Sequence, residues 1–291
     1  MNICDYTTLE AVRSGDMGLS STTDTGQDGN IFRIIQSVAR EIEALAKHRR
    51  FYPRIETRRY DVPNSNAPIN FKAPPTWREL QLGDDLITLT TLTNGDGTVI
   101  TSSQYKLYDA NAPVKHKITL LNSSGVVWTP SGGDYEQAIS AAGVWGYTRD
   151  YASAWQATGA TLGAGITANA TTFTCATGLV LRGELIQLDS EWLYVSSVTV
   201  STTDTVTVVR GVNGSTAAAH DLGVAVYRYV FQEVESIART ATTAYWRLRN
   251  NPIGESVRIG ENSFQTPKDV PAWIDKKLRM YGLVRGAGGF A

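Results

Sequence analysis

Residues 86–100 of the 291-residue chain have the sequence LITLTTLTNGDGTVI. Apolar residues and threonines alternate through residues 86–90, which is the two-residue period of a half-buried β-strand. Residues 94–97, Asn-Gly-Asp-Gly, are of the types that adopt the left-handed backbone conformation of tight hairpin turns, and residues 99–100 resume the apolar pattern. The stretch predicts an antiparallel hairpin and indicates that the middle of the chain is built from β-strands.

The strand pattern extends over residues 57–230. Further predicted strands cover residues 105–108, 115–121, 185–188, 192–195, 206–209 and 224–229. Turn residues separate them at the spacing of a small sandwich or barrel. The Gly-, Ala- and Thr-rich residues 157–172 are predicted to form a flexible loop. The pattern leaves open whether this region is one domain or two subdomains, at about 57–150 and 157–230.

Helical periodicity occupies both ends of the chain. A capping box from Thr7 to Glu10 predicts a short helix that stops at Gly15. A second helix has one apolar face, formed by Ile31, Ile34, Ile35, Val38, Ile42 and Leu45. Two more helices are predicted near residues 231–249 and from Asp269, which would cap the last one, to about residue 281, with residues 256–268 irregular between them.

Helices this short are not stable singly, so those from the two ends must pack together. We therefore predict an α+β fold with a small helical bundle made from both chain ends, residues 1–56 and 231–284. A large β-rich, sandwich- or barrel-like insertion, residues 57–230, lies between the second and third helices. A flexible C-terminal tail covers residues 285–291.

The bulk composition excludes several classes of protein. The 27 basic and 28 acidic residues give a net charge of −1, whereas proteins that wrap nucleic acid are usually basic. Cys4 and Cys175 stand far apart in different kinds of segment, which fits a reducing compartment. No signal peptide and no apolar run long enough for a membrane span is present, so we expect a protein made in the cytoplasm of its host, with no membrane partner.

Motifs for chemistry are absent from the sequence. His48, His116 and His220 have no metal-ligand spacing, and no phosphate-binding loop or nucleophile elbow is found. Asp189 and Glu191 are predicted to share the solvent face of a strand rather than to form a catalytic pair. The sequence predicts no catalytic residue, no cofactor and no metal.

Three stretches carry a family resemblance. The first includes HRRFYPR at residues 48–54 and TRRYD at 57–61, where a basic helix end runs through a proline into a strand. The second is the hairpin and Tyr-rich strand of residues 86–108. The third, residues 185–229, includes LDSEWLYV and TVVRGVNGSTAAAH. Together they resemble the head–tail connector (adaptor) family of tailed bacteriophages, and the third resembles phage virion proteins more generally.

The resemblance implies a structural protein of the virion neck and not an enzyme. Members form a ring, commonly of about twelve copies, below the portal protein. The ring extends the channel through which genomic DNA passes without sequence-specific binding, and it receives a stopper or tail completion protein. The C-terminal helix and tail, here residues 269–291, would dock on the portal. The residues expected to do so are Trp273, Lys277, Tyr281, Arg285 and Phe290.

A basic run at residues 47–59 has two interpretations. The favoured one is a helix end plus ion pairs at a contact between subunits, formed by Arg49, Arg50, Arg54, Arg58 and Arg59. The other is contact with nucleic acid, by charge and by stacking on the aromatic residues within the run.

Tryptophans supply the alternative function. Trp128, Trp145 and Trp155 stand in Gly- and Ser-rich segments, where aromatic side chains can anchor an interface or a sugar. The alternative to a neck adaptor is therefore a tail-tip or baseplate component, or a receptor- or glycan-binding virion module. Helices that bracket the β-rich region favour the adaptor.

Overall fold

A computed structural model describes residues 5–17, 26–63, 76–250 and 256–285. The chain divides into two compact units. Unit 1 comprises residues 1–51 and 152–285, and unit 2 comprises residues 52–151 and 286–291. The helices are α1 (Asp28–Leu45), α2 (Tyr151–Ala154), α3 (Glu233–Asn250) and α4 (Asp269–Met280), and a π-helical segment covers Ala11–Met17.

Two large antiparallel sheets account for most of the strands. The strands of unit 2 are β1 (Arg54–Tyr60), β2 (Glu79–Thr93), β3 (Val99–Ile100), β4 (Tyr105–Tyr108), β5 (Lys115–Leu120) and β6 (Ile139–Trp145). Those of unit 1 are β7 (Trp155–Thr161), β8 (Thr172–Ala176), β9 (Leu185–Leu188), β10 (Glu191–Thr199), β11 (Thr203–Val209), β12 (Ala225–Tyr229), β13 (Val257–Ile259) and β14 (Asn262–Phe264).

Unit 2 is a six-stranded sheet in the order β1-β6-β2-β5-β4, with β3 paired to β2. The predicted hairpin is confirmed, since Leu92 pairs with Ile100 and Thr93 with Val99. Gly95 is needed in its turn because a Cβ there would collide with the Thr129 carbonyl oxygen. The core contains Leu86, Leu92, Ile118, Ile139 and Trp145.

Unit 1 contains the second sheet, in the order β7-β12-β9-β10-β11-β8. Residues 157–172 were predicted to be a loop, but β7 takes up the first of them because its backbone pairs with β12. The edge strands β7 and β8 form no ladder, so the sheet does not close into a barrel. The buried side chains of this sheet include Phe173, Ile186, Leu193, Val206 and Val226.

The helices of unit 1 come from both ends of the chain. Helix α1 contacts α3 and α4, and it buries Ile31, Ile35, Val38, Ala39 and Ile42 on the predicted face. The fold is thus a mixed one, with two large antiparallel sheets and few helices. The predicted bundle is not confirmed, because the helices share one compact unit with the second sheet. No helix within the described ranges is long and apolar enough to cross a membrane.

Local structure corrects three predictions at the chain ends. The Thr8 hydroxyl, rather than that of Thr7, accepts the helix-start hydrogen bond, from the Ala11 amide. The helical segment runs through Gly15 to Met17. Residues 256–268, predicted to be irregular, contain the β13–β14 hairpin, because backbone pairing there needs no long apolar pattern.

Candidate functional site

The last helix carries two aromatic rings with a lysine between them. Trp273, Lys277 and Tyr281 follow at intervals of four residues, so they lie along one side of α4 and just past its end. Lys277 Nζ lies 5.9 Å from the centroid of the Trp273 ring and 6.0 Å from that of Tyr281. All three side chains are half-buried, and they flank the buried side of α4, which is formed by Val270, Ile274 and Leu278. We call Trp273, Lys277 and Tyr281 the α4 stripe.

The β13–β14 hairpin fixes the first ring of the α4 stripe. The indole Nε1 of Trp273 donates to Oδ1 of Asn262 at 2.9 Å. The Phe264 ring, which is buried, meets the Trp273 ring edge-on with the centroids 5.7 Å apart. A ring held in this way loses little side-chain freedom when a partner covers it, which favours binding.

The start of α4 differs from the predicted cap. The residue before the helix, Lys268, makes no side-chain capping bond. Asp269 instead turns its carboxylate back to accept hydrogen bonds from the Gln265 and Thr266 amides, at 2.8 and 2.7 Å. These bonds, that with Thr266 above all, lower the pKa of the Asp269 carboxyl. They tie the hairpin to the helix and so position the α4 stripe.

The chain after α4 is held against the end of α1. Gly282, at φ +66°, ends the helix, and the Leu283 amide returns to the Leu278 carbonyl. Arg49 is buried and donates from Nη1 to the Leu283 carbonyl at 2.9 Å. The Arg285 amide lies 3.5 Å from the Ala46 carbonyl. Arg285 is the last described residue and stands at the start of the predicted tail. Phe290, the fifth predicted docking residue, lies outside the described residues.

The arginines predicted to contact a second subunit have different surroundings. Arg49 is buried within unit 1, where Arg50 is half-buried. In unit 2, Arg54 is buried and Arg58 half-buried, and both approach the carboxylates of two acidic residues. Only Arg59 of the five is exposed. An intramolecular role therefore accounts for three of these side chains: Arg49, Arg54 and Arg58.

Two arginines and two carboxylates form a cluster on the sheet of unit 2, which we call the β1 cluster. Arg54 lies 2.6 Å from Glu56 and 3.2 Å from Asp84. Arg58 lies 3.1 Å from Glu56 and 2.6 Å from Asp84. Burial lowers the pKa of Arg58, but the attraction of Asp84 and Glu56 outweighs it and raises the pKa. Two positive and two negative charges thus neutralise one another.

The tryptophans in Gly- and Ser-rich segments are largely internal. Trp128 and Trp145 belong to the core of unit 2, and the Trp145 indole donates to the Glu56 carbonyl at 3.1 Å. Trp155 is half-buried and stacks at a tilt on Trp192, with centroids 5.7 Å apart. The prediction that they are interface anchors is therefore wrong for Trp128 and Trp145, because the Trp145 ring points inward from β6 and the loop that carries Trp128 packs its ring into the same core.

A charged network that the sequence did not indicate lies in unit 1, and we call it the Glu191 network. Glu191 is fully buried and accepts two hydrogen bonds from the Arg210 guanidinium, at 2.7 and 2.6 Å. Its carboxylate also accepts hydrogen bonds from the Gly211 and Ala218 amides, both at 3.0 Å. The ring of buried His220 lies between Glu191 and Asp189, at 2.9 and 2.8 Å.

The Glu191 network overturns the prediction for its two carboxylates. Asp189 is in the β9–β10 turn, with its side chain 61% exposed, whereas Glu191 is buried in β10. Burial alone would raise the pKa of Glu191, but hydrogen bonds, led by Arg210, lower it to about 2. The donors and acceptors of the network face one another, and a buried polar network that is satisfied in this way makes the local structure rigid. The Arg-Gly pair at residues 210–211 is a local signal that could have suggested a buried carboxylate as the partner of Arg210.

Two other carboxyl groups of unit 1, those of Asp5 and Glu184, have raised rather than lowered pKa values. Asp5 is buried and receives a hydrogen bond from the Tyr194 hydroxyl at 2.5 Å. Burial raises its pKa to about 6. Glu184 is paired with Arg228 at 2.8 Å, yet burial raises its pKa to about 7. Both groups therefore change charge close to neutral pH.

The three histidines do not share a site. His116 Nε2 lies 2.8 Å from the buried carboxylate of Asp85 in unit 2, His220 belongs to the Glu191 network, and His48 is exposed at the end of α1. Within the described ranges, no three His, Cys, Asp or Glu side chains are placed to hold a metal ion together.

Comparison of the chain with models of protein families, with curated proteins and with solved structures finds no match.

Proposed function

We propose that the protein is a structural component of a tailed-bacteriophage virion, a head–tail adaptor that forms a ring below the portal. The observation that carries the proposal is the α4 stripe. It offers two rings and a cation on one helix side, with one ring already fixed by Asn262 and Phe264. Tryptophan and tyrosine side chains are enriched among the residues that dominate the energy of protein interfaces.

The proposal includes a helical bundle made from both chain ends as the docking platform. Its support is the contact of α1 with both α3 and α4. Two hydrogen bonds support it further. Arg49 donates to the Leu283 carbonyl, and the Tyr245 hydroxyl donates to the Glu41 carboxylate at 2.9 Å. A partner that binds α4 would therefore bind a surface that several helices hold in place.

The charge of the chain suits a channel wall. The net charge is −1, and the Arg54 and Arg58 guanidiniums are already paired with Glu56 and Asp84. Free cations that could hold the DNA phosphates are thereby fewer than the basic run suggested. In the proposal, genomic DNA passes through the ring without sequence-specific binding, and the face away from the portal receives a stopper or tail completion protein.

The test is co-sedimentation of the purified protein with tailless, DNA-filled capsids of the phage that encodes it. We expect saturable binding at about a dozen copies per capsid, as a ring requires. Lys277→Glu should weaken binding about tenfold or more, because it places a carboxylate between two aromatic rings, whose faces repel anions.

Lys276→Glu is the matched control, since it makes the same charge change at an exposed position next along α4. It should leave binding nearly unchanged. Equal losses in the two variants would remove the α4 stripe from the proposal. Failure to bind capsids, together with binding to host cells or glycans, would replace the adaptor by a receptor-binding virion module.

A further inference from the structure

An open groove runs between α1 and α3. Its volume is about 750 Å³. Its walls are formed by Asn30, Arg33, Ile34, Ser37 and Glu41 of α1, Tyr245 and Arg249 of α3, and Pro267. Arg33 and Arg249 are exposed, and within the described part of the chain neither has a carboxylate within ion-pairing distance. The groove thus combines apolar surface from Ile34 and Pro267 with two guanidiniums that have no ion-pair partner among the described residues. It also contains one carboxylate, that of Glu41, which the Tyr245 hydroxyl binds. The excess of positive charge suits an acidic protrusion with an apolar tip.

Such a protrusion exists on unit 1 itself, at the turn that leads into β12. Leu222 is 69% exposed, and the residue before it, Asp221, is exposed as well. His220 links this turn to Asp189, whose side chain is also exposed. We call Leu222 with Asp189 and Asp221 the Leu222 knob.

The Glu191 network holds the Leu222 knob in place. His220, directly before Asp221, is buried against Glu191 at 2.9 Å. The Gly223 amide, directly after Leu222, donates to the Leu162 carbonyl at 2.9 Å, and Gly223 has φ +84°. Both ends of the turn are therefore fixed, so the Leu222 side chain and the neighbouring Asp221 carboxylate are presented to solvent from a defined position.

We propose that the Leu222 knob of one copy occupies the α1–α3 groove of the next copy. Leu222 would lie on Ile34 and Pro267, with Asp189 and Asp221 against Arg33 and Arg249. Two carboxylates would then meet two guanidiniums, the pairing with the best geometry among charged side chains. The inference rests on the proposed function and deepens it, because it names the contact between neighbouring subunits of the ring.

The two surfaces are different, and both belong to unit 1. A contact between two different surfaces joins copies head to tail, and it closes a ring when the rotation between neighbours divides the circle evenly. The Glu191 network thereby has a second consequence. It stabilises the fold, and it also presents the residues that meet the next subunit.

The test is cysteine cross-linking of the purified full-length protein with a bis-maleimide, in a Cys4→Ser background that leaves the buried Cys175. Ser37→Cys and Leu222→Cys place thiols on the groove and the knob, both at exposed positions. The double variant should give a ladder of multimers, and a mixture of the two single variants should give dimers. Each single variant alone should stay monomeric. Ser37→Cys with Val200→Cys is the matched control, since Val200 is 73% exposed on another turn.

Charge exchange gives a second readout on the same cross-link. Arg249→Glu and Asp221→Arg should each reduce its yield about tenfold, and the combination should restore it. The contact would be overturned by a yield no higher than that of the Val200 control, by dimers in either single variant, or by a combined charge variant no better than the single ones.

Capsid binding of the same samples separates the two proposals. Saturable binding to capsids without the 37–222 cross-link overturns the subunit contact and leaves the adaptor function standing. The cross-linked ladder in a protein that binds no capsid supports the contact and contradicts the adaptor function.

Discussion

The two sheets of the molecule each carry a cluster of opposite charges, but the clusters are built differently. In unit 1, Glu191 is fully buried and binds two backbone amides besides Arg210 and His220. In unit 2, Glu56 and Asp84 remain partly exposed, and they hold Arg54 and Arg58 through side chains. The first cluster holds a loop against a strand, whereas the second links β1 to β2, which lie on either side of β6 in the sheet.

The difference shows how one kind of interaction serves two purposes. A buried carboxylate can be retained only where many donors surround it, so the Glu191 network fixes the conformation of the whole 210–220 loop. A partly exposed cluster of charges contributes less to stability, because water solvates a charge that loses its partner. We therefore expect unit 1 to depend on its charges more than unit 2 does.

The largest expected effect is that of Glu191→Gln. The substitution leaves the buried Arg210 without its counter-charge and should lower the free energy of unfolding of unit 1 by about 3–5 kcal/mol. Urea unfolding followed by hydrogen exchange in β10 and β11 measures this, with β2 and β6 as the internal reference. Asp189→Asn, at the exposed end of the network, should cost less than about 1 kcal/mol. Equal costs for the two variants would contradict the distinction between a buried and an exposed carboxylate.

An effect of intermediate size is expected on the free energy of unfolding of unit 1 when the pH changes. Burial raises the folded-state pKa of Asp5 to about 6 and of Glu184 to about 7, above their ordinary values, so the folded state binds protons more tightly than the unfolded one. Unit 1 should therefore gain roughly 1–4 kcal/mol as the pH falls from about 8 to 5. Glu191, with its lowered pKa, contributes stability that is lost only below this range.

Glu184→Gln is the control for that pH dependence. It should flatten most of the slope between pH 8 and 6, where Glu184 takes up its proton, and leave the part due to Asp5 at lower pH. Denaturant midpoints measured at each pH report both parts. A slope that persists unchanged in the variant would assign the dependence to other groups.

The smallest effect is expected in unit 2. Asp84→Asn weakens the bonds to both Arg54 and Arg58, but Glu56 still accepts from both, so the cost should be about 1–2 kcal/mol. Hydrogen exchange in β1 and β6 should report it, and exchange in β10 should not change. Glu136→Gln, an exposed acidic position in the same unit, serves as the reference. A loss as large as that of Glu191→Gln would break the comparison between the clusters.

Strong periodic patterns located some elements from the sequence. The apolar face of α1 and the β2–β3 hairpin follow from side-chain spacing and turn residues, and both are confirmed. Strand β6, with the sequence ISAAGVW, and β7, with WQATGAT, were missed because their small residues carry little pattern. Their neighbours in the sheet define them, through backbone pairing that a single sequence does not display.

The candidate site divides in the same way. The spacing of Trp273, Lys277 and Tyr281 places them together on any helix, so the α4 stripe could be predicted from the sequence. The surroundings of Arg49 and Arg54 could not, because their partners, Leu283 and Asp84, lie far along the chain.

The sequence by itself determined the strongly periodic elements, such as α1 with its apolar face and the β2–β3 hairpin, because these depend on neighbours within a few residues. Tertiary structure alone decided which charges are buried. Glu191 and Asp189 are two residues apart, yet one is enclosed and the other faces water, since Arg210, Gly211 and Ala218 close over only one of them. Burial is a property of the folded neighbourhood, and it sets the pKa, the stability and the surface that remains for partners.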